Sequence, residues 1–252
     1  VNNGIAMVTG GGRGIGRAIA EKLAADGYTV VVVGRTLETL AEVAKSIGGH
    51  AIVGDMSDTA ATAACLDDVR RTVGRVDVLV CNAGITNTEP LHRTTGEAFE
   101  RLWQVNCRAP FQLTRALLPE MIDAEFGRVV LVASVAGLTG FPYASAYCAS
   151  KHAVIGMMRA VAKEIAAKPG VTINAVCPGW VRTDMAKEVV TRVVAKTGRT
   201  EMAALSDLAK MSPQNRLFTP EEVAHVVAML CSVDARGIHG ECITLDGGQL
   251  TG

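Results

Sequence analysis

Short apolar runs alternate along this chain with longer segments in which apolar residues recur at helical spacing. The first run is Ile5-Ala6-Met7-Val8, followed by a glycine-rich turn. Ala18, Ile19, Ala20, Leu23 and Ala24 then mark one face of a helix closed by Gly27. Residues 29–33 are all β-branched and predict a second strand, and residues 37–47 predict a helix that stops at Gly48-Gly49. Residues 51–53 and 76–80 predict two more strands with an Ala-rich helix between them, and 129–133, 171–176 and 242–245 complete the set. These runs are apolar throughout rather than alternating, which suits strands buried on both faces of a parallel sheet. Strand, helix and strand repeated with right-handed crossovers predict an α/β fold, a doubly wound and mainly parallel sheet of about seven strands. After Pro178-Gly179, residues 180–218 are polar and show no clear strand, which predicts a mobile lid over a ligand site. No linker, repeat or low-complexity segment divides the chain, so one domain is predicted over residues 1–252.

Composition narrows the function classes. Of 252 residues, 49% are hydrophobic and 20% charged, which predicts a large core and excludes a disordered chain. Lys plus Arg and Asp plus Glu both number 25, and no basic run is present, which argues against a dedicated nucleic-acid binder. A local basic patch for a small phosphate ligand remains open. The seven cysteines form no C-x-x-C pair, which suits reduced thiols in a cytoplasmic protein. The aliphatic runs, such as Val30 to Val33, are too short for a bilayer, and the glycines by residue 10 leave no room for a signal peptide's apolar core. The five histidines show no metal-ligand spacing, so no metal is predicted.

Thr9-Gly10-Gly11-Gly12-Arg13-Gly14-Ile15-Gly16 lies between the first strand and the first helix. Glycines there let the backbone approach a pyrophosphate, and the helix N-terminus offers free N–H groups and a partial positive charge. A glycine-rich turn alone also suits an ordinary tight turn, but its place in a βαβ unit favours dinucleotide binding. An NAD site carries an acidic residue about 20 positions on, at the end of the second strand. Here that place reads Gly34-Arg35-Thr36. A guanidinium can pair with a 2′-phosphate that a carboxylate would repel, so Arg35, with Arg13 from the turn, favours NADP(H) over NAD(H). The alternative is that Arg35 caps a strand and points into water.

Tyr147 and Lys151 stand at i and i+4 at the start of a predicted helix, sharing one face. A phenol titrates near pH 10, and a neighbouring ammonium would lower that value and make it a workable acid or base. Ser134, at the end of the fifth predicted strand, stands where parallel sheets bind ligands.

With these residues in view, the chain resembles the short-chain dehydrogenase/reductase family, in its compact single-domain Rossmann-type branch, over almost its full length. The resemblance rests on the turn from Thr9 to Gly16, Asp55, Asn82-Ala83-Gly84, Asn106, Ser134, Tyr147 with Lys151, and Pro178-Gly179 with Thr183, in the family's order and spacing. It implies that Tyr147 exchanges a proton with the substrate oxygen, that Ser134 hydrogen-bonds that oxygen, and that Lys151 lowers the tyrosine pKa and binds the nicotinamide ribose. Asn106 would hold a water linking Lys151 to solvent. For the cofactor it implies Gly10, Gly12, Arg13, Gly14, Ile15 and Gly16 at the pyrophosphate, Asp55 and Met56 at the adenine, and Asn82, Ala83 and Gly84 along the central strand and ribose. Pro178, Gly179, Val181 and Thr183 would lie at the nicotinamide end, with Thr183 on the carboxamide.

The C-terminal part, from Asn174 to Gly179 and on to Asp246-Gly247-Gly248, is similar to bacterial 3-oxoacyl-thioester reductases and polyketide ketoreductases. It implies NADPH-dependent reduction of a 3-oxoacyl thioester, carried on CoA or an acyl carrier protein, by a cytoplasmic homotetramer with no membrane or nucleic-acid partner. Trp180, Met185 and residues near Leu138 and Phe141 suit either an apolar substrate wall or core packing. An NAD(P)-dependent dehydrogenase of a secondary or cyclic alcohol shares every catalytic residue. A catalytically silent dinucleotide sensor is the non-enzyme alternative, disfavoured by the intact set Asn106, Ser134, Tyr147 and Lys151.

Overall fold

The structure, a computed structural model, describes residues 4–250; residues 1–3 and 251–252 at the ends of the predicted domain lie outside the described residues. Seven strands form one sheet: β1 (Ile5–Thr9), β2 (Thr29–Gly34), β3 (His50–Val53), β4 (Val78–Cys81), β5 (Gly127–Val132), β6 (Val171–Pro178) and β7 (Cys242–Leu245). Their order is β3-β2-β1-β4-β5-β6-β7, and every paired neighbour is parallel. The helices are α1 (Gly14–Ala25), α2 (Leu37–Ile47), α3 (Thr59–Val73), α4 (Gly96–Trp103), α5 (Ala109–Asp123), α6 (Ser145–Glu164), α7 (Asp184–Thr197), α8 (Glu201–Lys210) and α9 (Pro220–Cys231).

The uninterrupted apolar strands have the predicted consequence. Met7, Val31, Val33 and Leu79 pack into one core, while Ala6, Val8, Val30, Val32 and Val80 on the opposite faces of the same strands pack into a second. The first core takes Val154, Ile155 and Met158 from α6, and the second takes Ile19 and Leu23 from α1 and Val223 and Val227 from α9. Each fully buried aliphatic side chain contributes about 1.5–3 kcal/mol by leaving water. Local chemistry sets the ends: Gly48 closes α2 at φ +65°, Asp58 caps α3, and a Thr219–Glu222 capping box behind Pro220 opens α9.

Strand order reverses between β1 and β4, so the segments leaving their carboxyl ends diverge and open a crevice. Between α4 and α5 the helix widens into a single π-type turn, Gln104–Arg108, which turns Asn106 inward. The segment 180–218, predicted without strands, holds α7 and α8; a parallel bridge between Val181 and Phe218 ties its two ends together, and the Ser212 hydroxyl donates to the Asp246 carbonyl beyond it (3.0 Å).

Candidate active site

At the crevice the glycine turn forms a floor that admits no side chains. A Cβ on Gly16 would lie 2.1 Å from the Gly10 carbonyl oxygen and 2.5 Å from Asn82 Nδ2. Gly10 and Gly14 hold φ values of +67° and +53°, which glycine alone adopts without strain. Helix α1 opens with no side-chain cap and no acidic residue in its first turn, leaving its dipole and N–H groups for an anion. Asn82 bolts this turn to β4: its Nδ2 donates to the carbonyls of Thr9 (2.9 Å) and Gly10 (3.3 Å). The buried Thr9 hydroxyl accepts from the N–H groups of Asn82 and Ala83, both at 3.0 Å. Thr9 and Asn82 are thus the frame of the turn.

The turn opens into a cleft of about 950 Å³. Every residue expected at the dinucleotide, from Gly10 through Arg35, Asp55 and Met56 to Val181 and Thr183, lines it. Glycine floor, uncapped helix and elongated cleft fit a dinucleotide. Arg35 is exposed at the end of β2, and no carboxylate occupies that strand end. Asp55 lies beyond it; burial would raise its pKa, but the Ser57 N–H (2.9 Å) and hydroxyl (2.8 Å), with Arg35 and Arg101 nearby, hold it below the usual carboxylate range. Arg13 is exposed and sits 3.9 Å from Asp184 at the start of α7.

The candidate proton-transfer residues converge at the carboxyl ends of β5 and β6. Ser134 follows β5, and α6 presents Tyr147 and Lys151 one turn apart. The Ser134 Oγ accepts from the Ala136 N–H at 3.1 Å, which leaves its own hydrogen free to donate to the Tyr147 oxygen. Lys151 is buried, its Nζ 2.9 Å from the Val132 carbonyl and 5.8 Å from the centre of the Tyr147 ring. Burial pulls the Lys151 pKa down to about 8, against the smaller opposing effect of the thiols of Cys107, Cys177 and Cys81.

One electrostatic expectation is reversed. Burial pushes the Tyr147 phenol up to about 12, and only the Ser134 hydrogen bond lowers it. Desolvation outweighs the nearby ammonium, whose proton is directed at Val132. At neutral pH the phenol therefore stays protonated, with a proton available to give.

Asn106 lies behind the cleft rather than in it. Its Oδ1 accepts from the Ile85 N–H (2.9 Å), and its Nδ2 donates to the Ile85 carbonyl (3.0 Å) and the Ser150 hydroxyl (3.0 Å). It clamps the strand leaving Gly84 to α6 beside Lys151. A Cβ on Gly84 would lie 3.4 Å from Asn106 Oδ1 and 3.6 Å from Lys151 Nζ, so the amide and the ammonium flank the same backbone.

Of the proposed apolar wall, Phe141, Trp180 and Met185 line the cleft, joined by Leu208 of α8 and Met211 just after it. The Trp180 indole N–H points at the Met211 sulfur, 3.1 Å away. Leu138 instead packs against the core beneath the sheet.

Comparison with known proteins agrees with this geometry. The sequence profile of the short chain dehydrogenase family matches residues 4–193. This chain belongs to that family. It is 35% identical to the 3-oxoacyl-[acyl-carrier-protein] reductase FabG of Haemophilus influenzae, over 97% of both chains. It is 38% identical to the 3-oxoacyl-[acyl-carrier-protein] reductase MabA of Mycobacterium tuberculosis, over 96% of this chain and 91% of that one. A crystal structure of an actinorhodin polyketide ketoreductase variant with NADPH superimposes with a TM-score of 0.92 at 32% identity, covering 97% of this chain and 96% of that one.

As a short-chain dehydrogenase the protein is an oxidoreductase with a Rossmann-type sheet. Sequence reasoning missed two features of the site, one behind the cleft and one lining it. Ser150 shares the Asn106 clamp, a contact across 44 residues that no local pattern announces. Arg101 lines the cleft from α4, where the helical spacing of Ala98, Arg101, Leu102 and Val105 held the signal. Among the described residues no helix is long and apolar enough to cross a membrane. No cluster of His, Cys, Asp or Glu among them is arranged to hold a metal ion.

Proposed function

We propose that this protein reduces a 3-oxoacyl thioester, on CoA or an acyl carrier protein, to the 3-hydroxyacyl form with NADPH. The observation that carries the reading is the convergence of Ser134, Tyr147 and Lys151 beside a glycine-floored cleft whose adenosine end carries Arg35 and no acidic residue at the β2 terminus. The 3-oxoacyl reductases and the NADPH-bound ketoreductase to which the chain is similar support the substrate class and the cofactor.

When bound, the nicotinamide supplies the hydride. Tyr147, protonated at neutral pH, gives its proton to the substrate carbonyl oxygen. Ser134 donates a hydrogen bond to the same oxygen as negative charge grows there. Lys151 holds the nicotinamide ribose and, while charged, favours return of a proton to the tyrosine oxygen. Asn106 keeps Ile85 and α6 in register, so that Lys151 faces Gly84, and sits where a water would link Lys151 to solvent. Arg35, with Arg13, receives the 2′-phosphate. The segment 180–218, with α7 and α8, acts as a lid, presenting Trp180, Met185, Leu208 and Met211 to the acyl chain.

Two expected results follow. Because Lys151 loses its proton near pH 8, kcat/KM for reduction falls as pH rises through that value, and a profile flat across it contradicts the role. Arg35→Asp weakens NADPH by about a hundredfold and NADH far less, since a paired charge is replaced by a repelling one. Equal losses in nicotinamide-fluorescence titrations would show that Arg35 does not touch the 2′-phosphate.

Exposed Leu91, Phe99 and Phe111 around α4 and α5 support assembly as a homotetramer. Seven unpaired thiols support residence in the reducing cytoplasm.

A further inference from the structure

Helix α4 faces the cleft with one stripe, Ala98, Arg101, Leu102 and, in the next turn, Val105, at i, i+3, i+4 and i+7. Leu102 and Val105 are buried, so the stripe is apolar apart from one guanidinium. Five cations line the cleft: Arg13, Arg35, Arg101, Lys151 and Arg192. Arg13 meets Asp184, Arg192 meets Glu188, and Lys151 meets the Val132 carbonyl. Among the described residues the guanidinium groups of Arg35 and Arg101 make no hydrogen bond or close ion pair, and both act on the same carboxylate, Asp55. Asp55 uses Oδ1 for Ser57 and keeps Oδ2 for a further donor.

We propose that Arg101 is an adenine-binding residue, its guanidinium lying over the face of the base while Asp55 accepts from the base's edge. The inference rests on the dinucleotide reading of the cleft and adds a residue to it. A phosphate beside Asp55 would meet a carboxylate; a neutral, π-rich heterocycle with an amino donor meets an acceptor at its edge and a cation at its face. Arg35, at the β2 end beside the glycine turn, is left for the 2′-phosphate, so the two free cations divide the adenosine between them.

The division makes opposite demands on binding. Arg101→Ala weakens NADPH and NADH by the same factor, about fivefold to tenfold in titrations followed by nicotinamide fluorescence. AMP, used as a competitor, weakens by that factor too, whereas nicotinamide mononucleotide is unaffected. The thermal midpoint of the unliganded protein stays at the wild-type value, because Arg101 is exposed. A loss confined to NADPH would place Arg101 at the 2′-phosphate and overturn the assignment, and so would unchanged affinity for both nucleotides. Arg35→Asp, titrated in parallel, separates the two readings. If it affects both nucleotides equally, the NADPH preference falls while the Arg101 result stands. If the wild-type protein binds neither nucleotide, the dinucleotide reading falls first.

Discussion

Tyr147→Phe lowers turnover by about 10³-fold and leaves nicotinamide-nucleotide affinity close to that of the wild type. The substitution removes one oxygen and creates no cavity, so the α6 backbone and the Lys151 contact to Val132 have no reason to move. What disappears is the proton. Burial holds the phenol at a pKa of about 12, so nearly every molecule carries that proton at neutral pH, and no other side chain at the Ser134 oxygen replaces it. Ser134 keeps its bond from the Ala136 N–H and still offers a hydrogen, which accounts for a residual rate above that of the free solution. The check is kcat with an acyl-thioester substrate beside a binding titration. Retention of turnover within about tenfold of wild type would remove Tyr147 from the proton-donor role.

Gly16→Ala is the second large effect, and it acts on binding. The added methyl would stand 2.1 Å from a backbone oxygen, that of Gly10, and no side-chain rotation relieves the overlap. The turn has to move, and the same movement strains the Asn82 bonds to Thr9 and Gly10 that hold it. We expect a destabilisation of about 1–3 kcal/mol and a loss of cofactor affinity of about a hundredfold or more. Gly48→Ala provides the contrast: Gly48 holds φ +65°, which Gly16 does not, and meets nothing within 4 Å, so the variant costs stability through backbone strain alone without touching the cleft. Thermal unfolding and nucleotide titration of the two variants separate strain from steric exclusion. Wild-type nucleotide affinity in Gly16→Ala would show that the turn does not carry the pyrophosphate.

The fold was legible where one physical signal dominated. Strand β7 and helix α2 have their predicted limits because a short apolar run and a helix closed by Gly48 leave few alternatives. Strand β4 starts at Val78 rather than at residue 76, because Asp77 turns its carboxylate to the Ile5 N–H and Arg75 before the ladder with β5 begins. The helices α7 and α8 went unread beneath their polar residues, although Ala186, Val189 and Val190 carry helical spacing and Thr200 is a side-chain cap. The glycines of the cleft floor were legible because backbone contact demands them. The surroundings of Asn106, Tyr147 and Lys151 were not. The Val132 carbonyl under Lys151 lies 19 residues away, and the turn that buries Asn106 has no sequence signature. Burial, which decides the Tyr147 pKa, is a property of the packed molecule, whereas the i, i+4 lysine was visible from the start.

The most direct measurement of the central claim is oxidation of NADPH and of NADH with acetoacetyl-CoA, side by side under the same conditions. Thioester-dependent turnover is expected with NADPH and at least about tenfold less with NADH, the discrimination a paired 2′-phosphate provides. Turnover mainly with NADH would contradict the role of Arg35 while leaving the reaction in place. Silence with both nucleotides, together with turnover of a cyclic ketone, would contradict the acyl-thioester reading itself.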